Sequence, residues 1–485
     1  MRFWRDVSGE ITVSPLPASL VDVAVVGAGF TGLTTALLLA RTGRRVAVVE
    51  ARHVGAGASG ATTAKTSLLQ NTRLTDLADQ HSPEVAAQYL AANRHGLEWM
   101  TEFCTAHDVP VERTPAVTFA TTDDGADAVR REYELARELG LDVELDEHPG
   151  EEFATHAALR LPEMLQLDPA DLLVALCRAL TEAGGTITDH TRVTGIDGTT
   201  LRTDAGDLRA GQVVLATASP ILDTGRVTMS LSPERSYLGA YEVTGPLPEG
   251  MYISAESPTI SVRAAAGRLL VGGQGHPTGQ ETRTQERLAA LDAWAEHHFP
   301  GARRTHGWSA QDYHPVGGVP VVEKLSDGVV FAGGYSKWGM AAAPAAAHML
   351  VNLLDGREPE TFGDTTLSGT AGTTATTLAK AAGHAAAHLA RAVTGGDTRG
   401  PDDSSTLDEG DAATGRAGAR PVGEAVVDGK TCRVSLLCTH MGGPLAWNEA
   451  EQSWDCPLHG SRFTPEGRVI EGPAVKDLPQ LPKDE

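Results

Sequence analysis

"VDVAVVGAGFTGLTTALLLARTGRRVAVVE", residues 21–50, indicates a strand, a glycine-rich turn, a helix and a second strand. Residues 21–26 form an apolar run interrupted only by Asp22, a pattern typical of a parallel strand buried on both faces. Small and aliphatic residues then recur at helical spacing from Leu33 to Ala40. The stretch therefore predicts a βαβ unit, and with it an α/β domain built on a parallel sheet.

Three glycines, Gly27, Gly29 and Gly32, occupy the turn in the pattern GxGxxG. The first permits a tight turn, the second lets the backbone approach a pyrophosphate, and the third lets the helix pack closely on the strand. Glu50 ends the next strand, 18 residues after the last glycine, where its carboxylate can accept hydrogen bonds from ribose hydroxyls. GxGxxG alone is a weak signal, but with these flanking features it predicts a dinucleotide ligand, either FAD or NAD.

The composition is that of a globular protein with several domains. The chain has 485 residues, 41% of them hydrophobic, and a net charge of -23. That charge argues against nucleic acid or an anionic membrane as a partner, because both are bound through cationic side chains. The start of the chain lacks the apolar core of a signal peptide, no apolar run reaches the roughly 20 residues of a membrane span, and five cysteines are too few for a disulfide framework. We expect a cytoplasmic protein with reduced thiols.

A second constellation lies near the end of the chain, in "CTHMGGPLAWNEAEQSWDCPLHGSRF". Each of its two short loops supplies one thiol and one imidazole, and the four candidate metal ligands are Cys438, His440, Cys456 and His459. Thiolate and imidazole suit both zinc and a [2Fe-2S] cluster, and the spacing alone does not decide between them. Cys2His2 zinc fingers place both Cys in one pair, whereas a Rieske cluster binds both thiolates at one iron and both imidazoles at the other, which two symmetrical Cys-His loops favour.

The loops "CTHMGG" and "CPLHGSRF" resemble those of Rieske proteins, and "EGPAV" resembles their proline loop. The resemblance implies a [2Fe-2S] cluster in a small all-β domain, residues 421–485. Respiratory members carry an extra Cys in each loop, joined by a disulfide, at the positions that Gly443 and Leu458 occupy here. They also carry a Ser and a Tyr that raise the potential, where this chain has Ser461 and Phe463. The missing hydroxyl predicts a potential of roughly -150 to +100 mV.

Three further stretches resemble the FAD-dependent glycine oxidase and D-amino-acid oxidase superfamily. They are "GAGASGATTAKTS" (55–67), "RAGQVVLATAS" (209–219) and "GVVFAGGYSKWGM" (328–340). The resemblance favours FAD over NAD, and it implies a Rossmann-like, glutathione-reductase-type FAD-binding domain with an antiparallel-sheet substrate domain. The FAD is expected to be noncovalent, because Ala61 stands where some relatives have a His. The further residues that the resemblance brings to the cofactor are Lys65, Val193, Gly334, Gly339 and Met340.

The presumed substrate position departs from that superfamily. Many of its amino-acid oxidases clamp the substrate carboxylate with an Arg in a "GLRP"-like stretch, and Asp312 falls about there in this chain. An anionic Asp312 favours a cationic amine over a plain α-amino acid, while a purely structural role for it is an equal alternative. Arg235, Arg263 and Lys337 are the alternative residues for binding a substrate carboxylate. Lys337 and Tyr241 are the other catalytic candidates, and a cation at Lys65 or Lys337 would stabilise anionic reduced flavin.

These features divide the chain into five parts. The predicted FAD-binding domain is discontinuous and comprises residues 20–85, 160–230 and 325–360. The predicted substrate domain comprises residues 86–159 and 231–324. Before the Rieske domain we expect a peripheral helix and then a flexible linker rich in Gly, Asp and Ser, at residues 365–394 and 395–420.

The two resemblances together predict an oxidoreductase acting on an amine or amino-acid-like substrate. Hydride would pass to the flavin, and electrons would leave singly through the cluster to an unidentified acceptor, since a flavin handles two electrons and the cluster one. A redox-sensing or electron-transfer module without small-molecule turnover is the alternative. A Rieske oxygenase would need a mononuclear iron held by two His and a carboxylate, and the residues before the tail belong instead to the FAD domain.

Overall fold

The computed structural model describes residues 3–147, 155–221, 225–281, 283–358, 360–363, 407–417 and 420–482. The helices in these ranges are α1 (Phe30–Ala40), α2 (Arg73–Gln80), α3 (Pro83–Ala106), α4 (Asp123–Glu138), α5 (Pro169–Glu182), α6 (Arg226–Met229), α7 (Thr284–His298) and α8 (Gly339–Leu354). None of them combines the length and the hydropathy that a membrane span requires.

The strands belong to four sheets. In chain order they are β1 (Val21–Val26), β2 (Val46–Val49), β3 (Lys65–Thr66), β4 (Val111–Ala120), β5 (Glu144–Asp146), β6 (Ala157–Leu167), β7 (Thr186–Thr188), β8 (Val193–Asp197), β9 (Thr200–Thr203), β10 (Gly206–Ala218), β11 (Leu231–Glu242), β12 (Met251–Ser254), β13 (Ile260–Ala265), β14 (Arg268–Pro277), β15 (Arg303–Pro315), β16 (Val321–Ser326), β17 (Val329–Gly333), β18 (Ala412–Ala417), β19 (Arg420–Val427), β20 (Lys430–Ser435), β21 (Ala446–Asn448), β22 (Ser453–Asp455), β23 (Arg462–Phe463) and β24 (Val469–Glu471).

The first sheet has the order β16-β17-β10-β1-β2-β7, with β8 and β9 attached to β10. All of its central pairs are parallel, and β16 is an antiparallel edge. In β1, Val23 and Val25 join the core that contains α1, whereas Ala24 and Val26 join a second core on the opposite face. This burial on both faces explains the apolar run and confirms the predicted βαβ unit.

The second sheet has nine strands, in the order β15-β11-β14-β13-β12-β4-β6-β3, with β5 beside β6. Its pairs are antiparallel except that β12 lies parallel to β4. In the pairing of β11 with β15, Glu234 lies opposite Asp312 and Arg235 lies opposite Gln311. Because side chains alternate along a strand, the two acidic residues share one face of the sheet and Arg235 and Gln311 share the other.

Strand pairing corrects the domain boundaries expected from sequence. β6 lies wholly in the second sheet although it crosses the expected boundary at residue 159, and β3 pairs with β6 rather than with the first sheet. β16 pairs with β17 and therefore belongs to the first sheet, although most of it was expected in the substrate domain. The physical reason is that hydrogen-bonding partners far away in sequence decide which sheet a strand joins.

The C-terminal domain consists of a three-stranded sheet, β18-β19-β20, and a four-stranded sheet, β21-β22-β23-β24. Its small core includes Leu436, Trp454 and Phe463. The expected linker ends too late, because β18 pairs with β19 throughout its length and so forms part of this domain. Small Ala, Gly and Thr residues gave β18 no apolar pattern, yet its backbone groups complete the sheet. The expected helix at 365–394 and most of the expected linker lie outside the described residues.

Candidate functional site

The turn after β1 is built from backbone groups that approach too closely for side chains. Gly27 has a φ of +104°, and a Cβ there would lie 2.5 Å from the carbonyl oxygen of Ala216. A Cβ at Gly32 would lie 1.9 Å from the carbonyl oxygen of Gly27. Both glycines are therefore required by the path of the chain, as the spacing of the motif predicted.

Glu50 is fixed beside this turn by two backbone amides. One carboxylate oxygen accepts a hydrogen bond from the backbone N–H of Ala28 and the other from that of Arg52, both at 2.9 Å. A Cβ at Gly29 would lie 2.8 Å from the hydroxyl of Ser59, so a larger residue at this position would require the Ser59 side chain to move. The carboxylate is thus oriented at the end of β2, where the sequence predicted ribose recognition.

A cavity of about 260 Å³ begins at this turn. The N-termini of α1 and α8 border it, and the positive ends of two helix dipoles favour an anion such as a pyrophosphate. A dinucleotide fits this combination of exposed glycine backbone, the Glu50 carboxylate and two helix N-termini. The predicted cofactor residues that line this cavity are Gly27, Gly29, Glu50, Val193, Gly334, Gly339 and Met340.

Lys65 does not line this cavity, contrary to expectation. Its ammonium donates a hydrogen bond to the carbonyl oxygen of Tyr252 at 3.0 Å and another to the hydroxyl of Ser261. Burial, reinforced by the nearby Arg263, lowers the pKa of Lys65 to about 7. The pairing of β3 with β6 carries this side chain into the second sheet, which the loop sequence alone could not indicate.

Asp312 and Lys337 lie together on the cavity wall. The Asp312 carboxylate accepts hydrogen bonds from the backbone N–H of Tyr313, at 2.7 Å, and from that of Lys337. Burial raises the pKa of Asp312 to about 6 despite these two bonds. The ammonium of Lys337 forms an ion pair with Glu234 at 2.6 Å.

Glu234 and His314 were not predicted from the sequence. They share one face of the second sheet with Asp312, because all three occupy alternate positions of β11 and β15 in the observed register. The His314 Nε2 lies 3.5 Å from the Glu234 carboxylate, and burial lowers the pKa of His314 to about 4. The signal available in the sequence was the alternation of polar residues along the stretches that form β11 and β15.

Tyr241 does not reach this cavity, which corrects its proposed catalytic role. Its hydroxyl donates to the Asp292 carboxylate at 2.9 Å, and its ring packs in the core beneath α7 with Leu291 and Phe299. Burial, together with Asp292, raises the pKa of Tyr241. The side chain lies toward the far end of β11, on the face covered by α7.

The four predicted metal ligands meet in two pairs, one of thiols and one of imidazoles, between the two C-terminal loops. The thiols of Cys438 and Cys456 lie within hydrogen-bonding distance of each other, and the rings of His440 and His459 have their centroids 5.2 Å apart. Each sulfur also faces the backbone N–H groups two and three residues further on. Sulfur beside sulfur and imidazole beside imidazole is the arrangement that a Rieske cluster requires.

The surroundings of these ligands match the implied Rieske loops. A Cβ at Gly443 would lie 2.7 Å from Leu458 Cδ1, so the two positions that carry a disulfide in respiratory members face each other here. The Ser461 hydroxyl lies within hydrogen-bonding distance of the Cys438 sulfur and accepts from the backbone N–H of Ala474 at 3.0 Å. Phe463 is fully buried in the domain core.

The second of these loops packs against the end of β11 and β15. Gln311 Nε2 donates to the carbonyl oxygen of Gly460 at 2.9 Å, and the Tyr313 hydroxyl donates to that of His459 at 3.3 Å. A Cβ at Gly460 would lie 2.5 Å from Pro233. Residues 470–472 and 474–475 continue from this contact to form part of the cavity wall, which no local sequence signal predicted.

A buried ionic network joins the two domains. Arg235, with 1% of its surface exposed, contacts Glu451 at 2.9 Å and Glu471 at 3.2 Å. Arg462 contacts the same two carboxylates at 3.2 and 3.3 Å and Asp455 at 3.0 Å. Burial alone would raise the pKa of Glu471, but Arg462 and Arg235 outweigh it and lower this pKa to about 2.

Comparisons with known proteins agree with this geometry. A family model described as FAD dependent oxidoreductase (DAO) matches residues 22–353, and a Rieske [2Fe-2S] domain model matches residues 402–482, so the second match includes β18. YhfW of Bacillus subtilis (strain 168), named as a Rieske 2Fe-2S iron-sulfur protein, is 27% identical over 485 residues, covering 96% of this chain and 94% of that protein. The cytochrome b6-f complex iron-sulfur subunit 3 of a Nostoc species (strain PCC 7120) is 46% identical over 48 residues, which cover 10% of this chain and 27% of the subunit.

Two solved structures show the same fold as the first two sheets. Glycine oxidase from Geobacillus kaustophilus has a TM-score of 0.60 at 23% identity, covering 72% of this chain and 97% of that one. L-proline dehydrogenase from P. horikoshii has a TM-score of 0.59 at 18% identity, covering 72% and 96%. With a dinucleotide cavity in the first domain, paired thiols and imidazoles in the second, and a family match over more than half of its length, the chain belongs to the DAO family of FAD-dependent oxidoreductases and carries a C-terminal Rieske [2Fe-2S] domain.

Proposed function

We propose that this chain is a dehydrogenase of amines whose electrons leave one at a time through the Rieske domain. FAD, when bound, supplies a hydride acceptor that can return two electrons singly, and a [2Fe-2S] cluster carries one. The observation that carries the amine assignment is the acidic side of the cavity, formed by Asp312 with the ion pair of Glu234 and Lys337 beside it.

Asp312 and the three groups beside it, Glu234, Lys337 and His314, together carry one negative charge at neutral pH. Two carboxylates, Asp312 and Glu234, contribute -2, Lys337 contributes +1, and His314 is neutral because burial lowers its pKa to about 4. A protonated amine is attracted to such a site. The carboxylate of a plain α-amino acid would be repelled there, which gives selectivity against amino acids.

Two buried arginines of the second sheet, Arg235 and Arg263, are already occupied. Arg235 is held in the ionic network with the Rieske domain, and Arg263 donates to the carbonyl oxygens of Ala64 and Leu167 at 3.1 and 3.3 Å. Both therefore serve structure, and neither lines the cavity. This occupation supports a substrate without a carboxylate, because a fixed guanidinium is the residue that clamps carboxylates well.

Asp312 is also suited to hold a proton. An amine must be neutral at nitrogen before its carbon can release hydride, and a carboxylate whose pKa is raised to about 6 can accept the ammonium proton near neutral pH. Each oxygen of Asp312 receives one backbone hydrogen bond, which leaves each with further acceptor capacity. The carboxylate can thus orient the amine while the backbone holds it in place.

Anaerobic mixing of the holoprotein with a panel of substrates tests the proposal. N-methylated and cyclic amines are expected to bleach the flavin and then reduce the cluster, while matched α-amino acids react more slowly. Reduction by amino acids and not by amines would contradict the substrate class. No reduction by any compound would favour the alternative of an electron-transfer module.

The Asp312→Asn variant tests the role of the carboxylate. We expect flavin reduction by the amine to slow by about 10²-fold, the lower range for loss of a positioned acid or base, and its dependence on pH near 6 to disappear. Asp292→Asn is the matched control, because Asp292 binds Tyr241 and Arg304 away from the cavity. An unchanged pH profile in Asp312→Asn would show that the carboxylate is structural only.

A further inference from the structure

We infer that Tyr313 is the side chain through which electrons pass between the cofactor cavity and the Rieske cluster. This inference rests on the proposed electron relay and gives it a route. Tyr313 lines the cavity, and its hydroxyl lies 3.3 Å from the carbonyl oxygen of the predicted ligand His459. One side chain therefore touches both the space for the flavin cofactor and the backbone of a residue that would hold iron.

The contact is fixed from several directions. The Tyr313 hydroxyl also lies 3.4 Å from the carbonyl oxygen of Gly472, and it receives a hydrogen bond from Gln311 Nε2 at 3.1 Å. The same amide nitrogen donates to the carbonyl oxygen of Gly460 at 2.9 Å. Only 4% of the Tyr313 surface is exposed, so solvent is excluded from the bridge.

The backbone of Tyr313 connects it to the flavin side of the cavity rather than to the nucleotide side. Its carbonyl oxygen accepts from the N–H of Ser336 at 3.2 Å, and its own N–H donates to Asp312. Ser336 belongs to the turn before α8, which the superfamily resemblance brings to the flavin ring. The ring of Tyr313 thus begins where reduced flavin is expected and ends at the loop of His459.

The docked arrangement keeps this route short. Arg235 and Arg462 share the carboxylates of Glu451 and Glu471 in a buried network beside the contact. Breaking it would leave charges buried without partners, which is costly. A Rieske domain held this way does not need to swing between a donor and an acceptor position to receive electrons from the flavin.

One electron would cross in each event. With both groups bound, FAD would supply two electrons, and a [2Fe-2S] cluster held by Cys438, His440, Cys456 and His459 would take them up one at a time, because it carries a single electron. An external one-electron acceptor, such as a soluble redox protein, would remove the first electron before the second is transferred, and the protons of the reduced cofactor would pass to solvent. Tyr313 undergoes no net change, so it need only supply orbitals and a hydrogen bond.

The test uses the holoprotein and reduces the flavin by light with a sacrificial donor, so no natural substrate is required. Reduction of the cluster is then followed by its absorption and by its electron paramagnetic resonance signal. The variants are Tyr313→Phe, which removes the hydroxyl, and Tyr313→Leu, which also removes the ring. Tyr237→Phe and Tyr237→Leu are the matched controls, because Tyr237 is equally buried and its hydroxyl lies 3.5 Å from Asn448 of the Rieske domain, but it does not line the cavity.

In Tyr313→Leu we expect electron transfer to the cluster to slow at least tenfold, equivalent to about 1.4 kcal/mol in the barrier. Tyr313→Phe should lie between this variant and the unmodified protein, and the Tyr237 variants should transfer at the unmodified rate. The midpoint potentials of both cofactors are measured in every variant, so that a slower rate caused by a lost route can be distinguished from one caused by a smaller driving force.

Two results would overturn the inference while leaving the proposed function intact. One is an unmodified rate in Tyr313→Leu, and the other is equal slowing in Tyr237→Leu, which would indicate a general loss of docking. If the unmodified protein itself fails to pass electrons from reduced flavin to the cluster, both the relay and the route are wrong.

Discussion

Replacement of Arg235 by methionine removes the residue of the flavoprotein body that forms ion pairs in the described network, whose other members, Glu451, Asp455, Arg462 and Glu471, belong to the Rieske domain. Methionine preserves most of the length of the side chain and deletes the charge. Glu451 and Glu471 then lose one of the two guanidinium groups that each contacts. The expected result is a less stable docking of the Rieske domain.

The magnitude follows from the burial of the partners. Removal of one member of a fully buried ion pair typically costs 3–5 kcal/mol, because the other charge is left without compensation. Here each carboxylate retains Arg462 and is 20% exposed, which lets water compensate part of the loss. We therefore expect about 3 kcal/mol, at the lower end of that range.

Thermal unfolding, followed by calorimetry and by two spectroscopic probes, measures this effect. Loss of cluster absorption reports the Rieske domain and release of FAD reports the flavoprotein body, and the two should unfold together in the unmodified protein. In Arg235→Met the cluster should be lost at a lower temperature than FAD. Arg202→Met is the control, because its ion pair with Asp197 is exposed, with side-chain exposures of 62% and 73%, and exposed pairs contribute little.

A double variant separates charge from packing. Adding Glu471→Gln to Arg235→Met removes one of the two carboxylates that have lost a partner, so part of the lost stability should return. If Arg235→Met unfolds like Arg202→Met, with the two probes still coincident, the network does not hold the domains together. If the double variant is less stable than the single one by the full cost of a second independent contact, the two residues are not coupled.

Three other outcomes are expected. Gly32→Ala should abolish FAD retention, because its Cβ would lie 1.9 Å from a carbonyl oxygen. Gly245→Ala should retain FAD, because a Cβ there meets open space and Gly245 does not line the cavity; the measurement is flavin per purified chain. Phe463→Tyr should raise the cluster potential, by roughly 40 mV if the new hydroxyl forms one hydrogen bond of about 1 kcal/mol, and voltammetry that gives an unchanged or lower value would contradict this. Acidification should weaken the docking, because the pKa of Glu471 is depressed to about 2 in the folded protein. The contribution of Glu471 to stability is complete above about pH 4.5 and is lost as the pH falls toward 2. A Rieske domain that detaches from the flavoprotein body equally at pH 6 and pH 3 would argue against this.

The sequence was most informative where the signal is local. The first βαβ unit needs only the period of its apolar residues and three glycines, and all of these lie within residues 21–50. The four metal ligands lie in two short loops, so their types and order were sufficient to predict that they meet. The ends of elements and the strand β18 were less accessible, because a run of small residues carries no periodic pattern.

Features set by distant parts of the chain were not predictable in this way. The placement of Tyr241 under α7 and of Asp312 at the cavity depends on the register between β11 and β15, which is fixed by backbone pairing over about seventy residues of chain. Tyr313 and Glu234 were passed over for the same reason. A single sequence can indicate that two stretches form strands, but it does not show which domain each face of those strands contacts.

That register explains how one pair of strands can serve two redox centres. At the cavity end, the acidic residues Glu234 and Asp312 lie opposite each other on one face, while Arg235 and Gln311 lie opposite each other on the other and contact the Rieske domain. Neighbouring residues along each strand therefore face different surfaces, one the cavity and the other the Rieske domain. The two surfaces lie close together because only the thickness of the strand separates them. Tyr313 follows Asp312 directly, so the residue proposed to bind the amine and the residue proposed to conduct its electrons are joined by one peptide bond. A shift of register by one residue would exchange the two faces and would remove both functions at once.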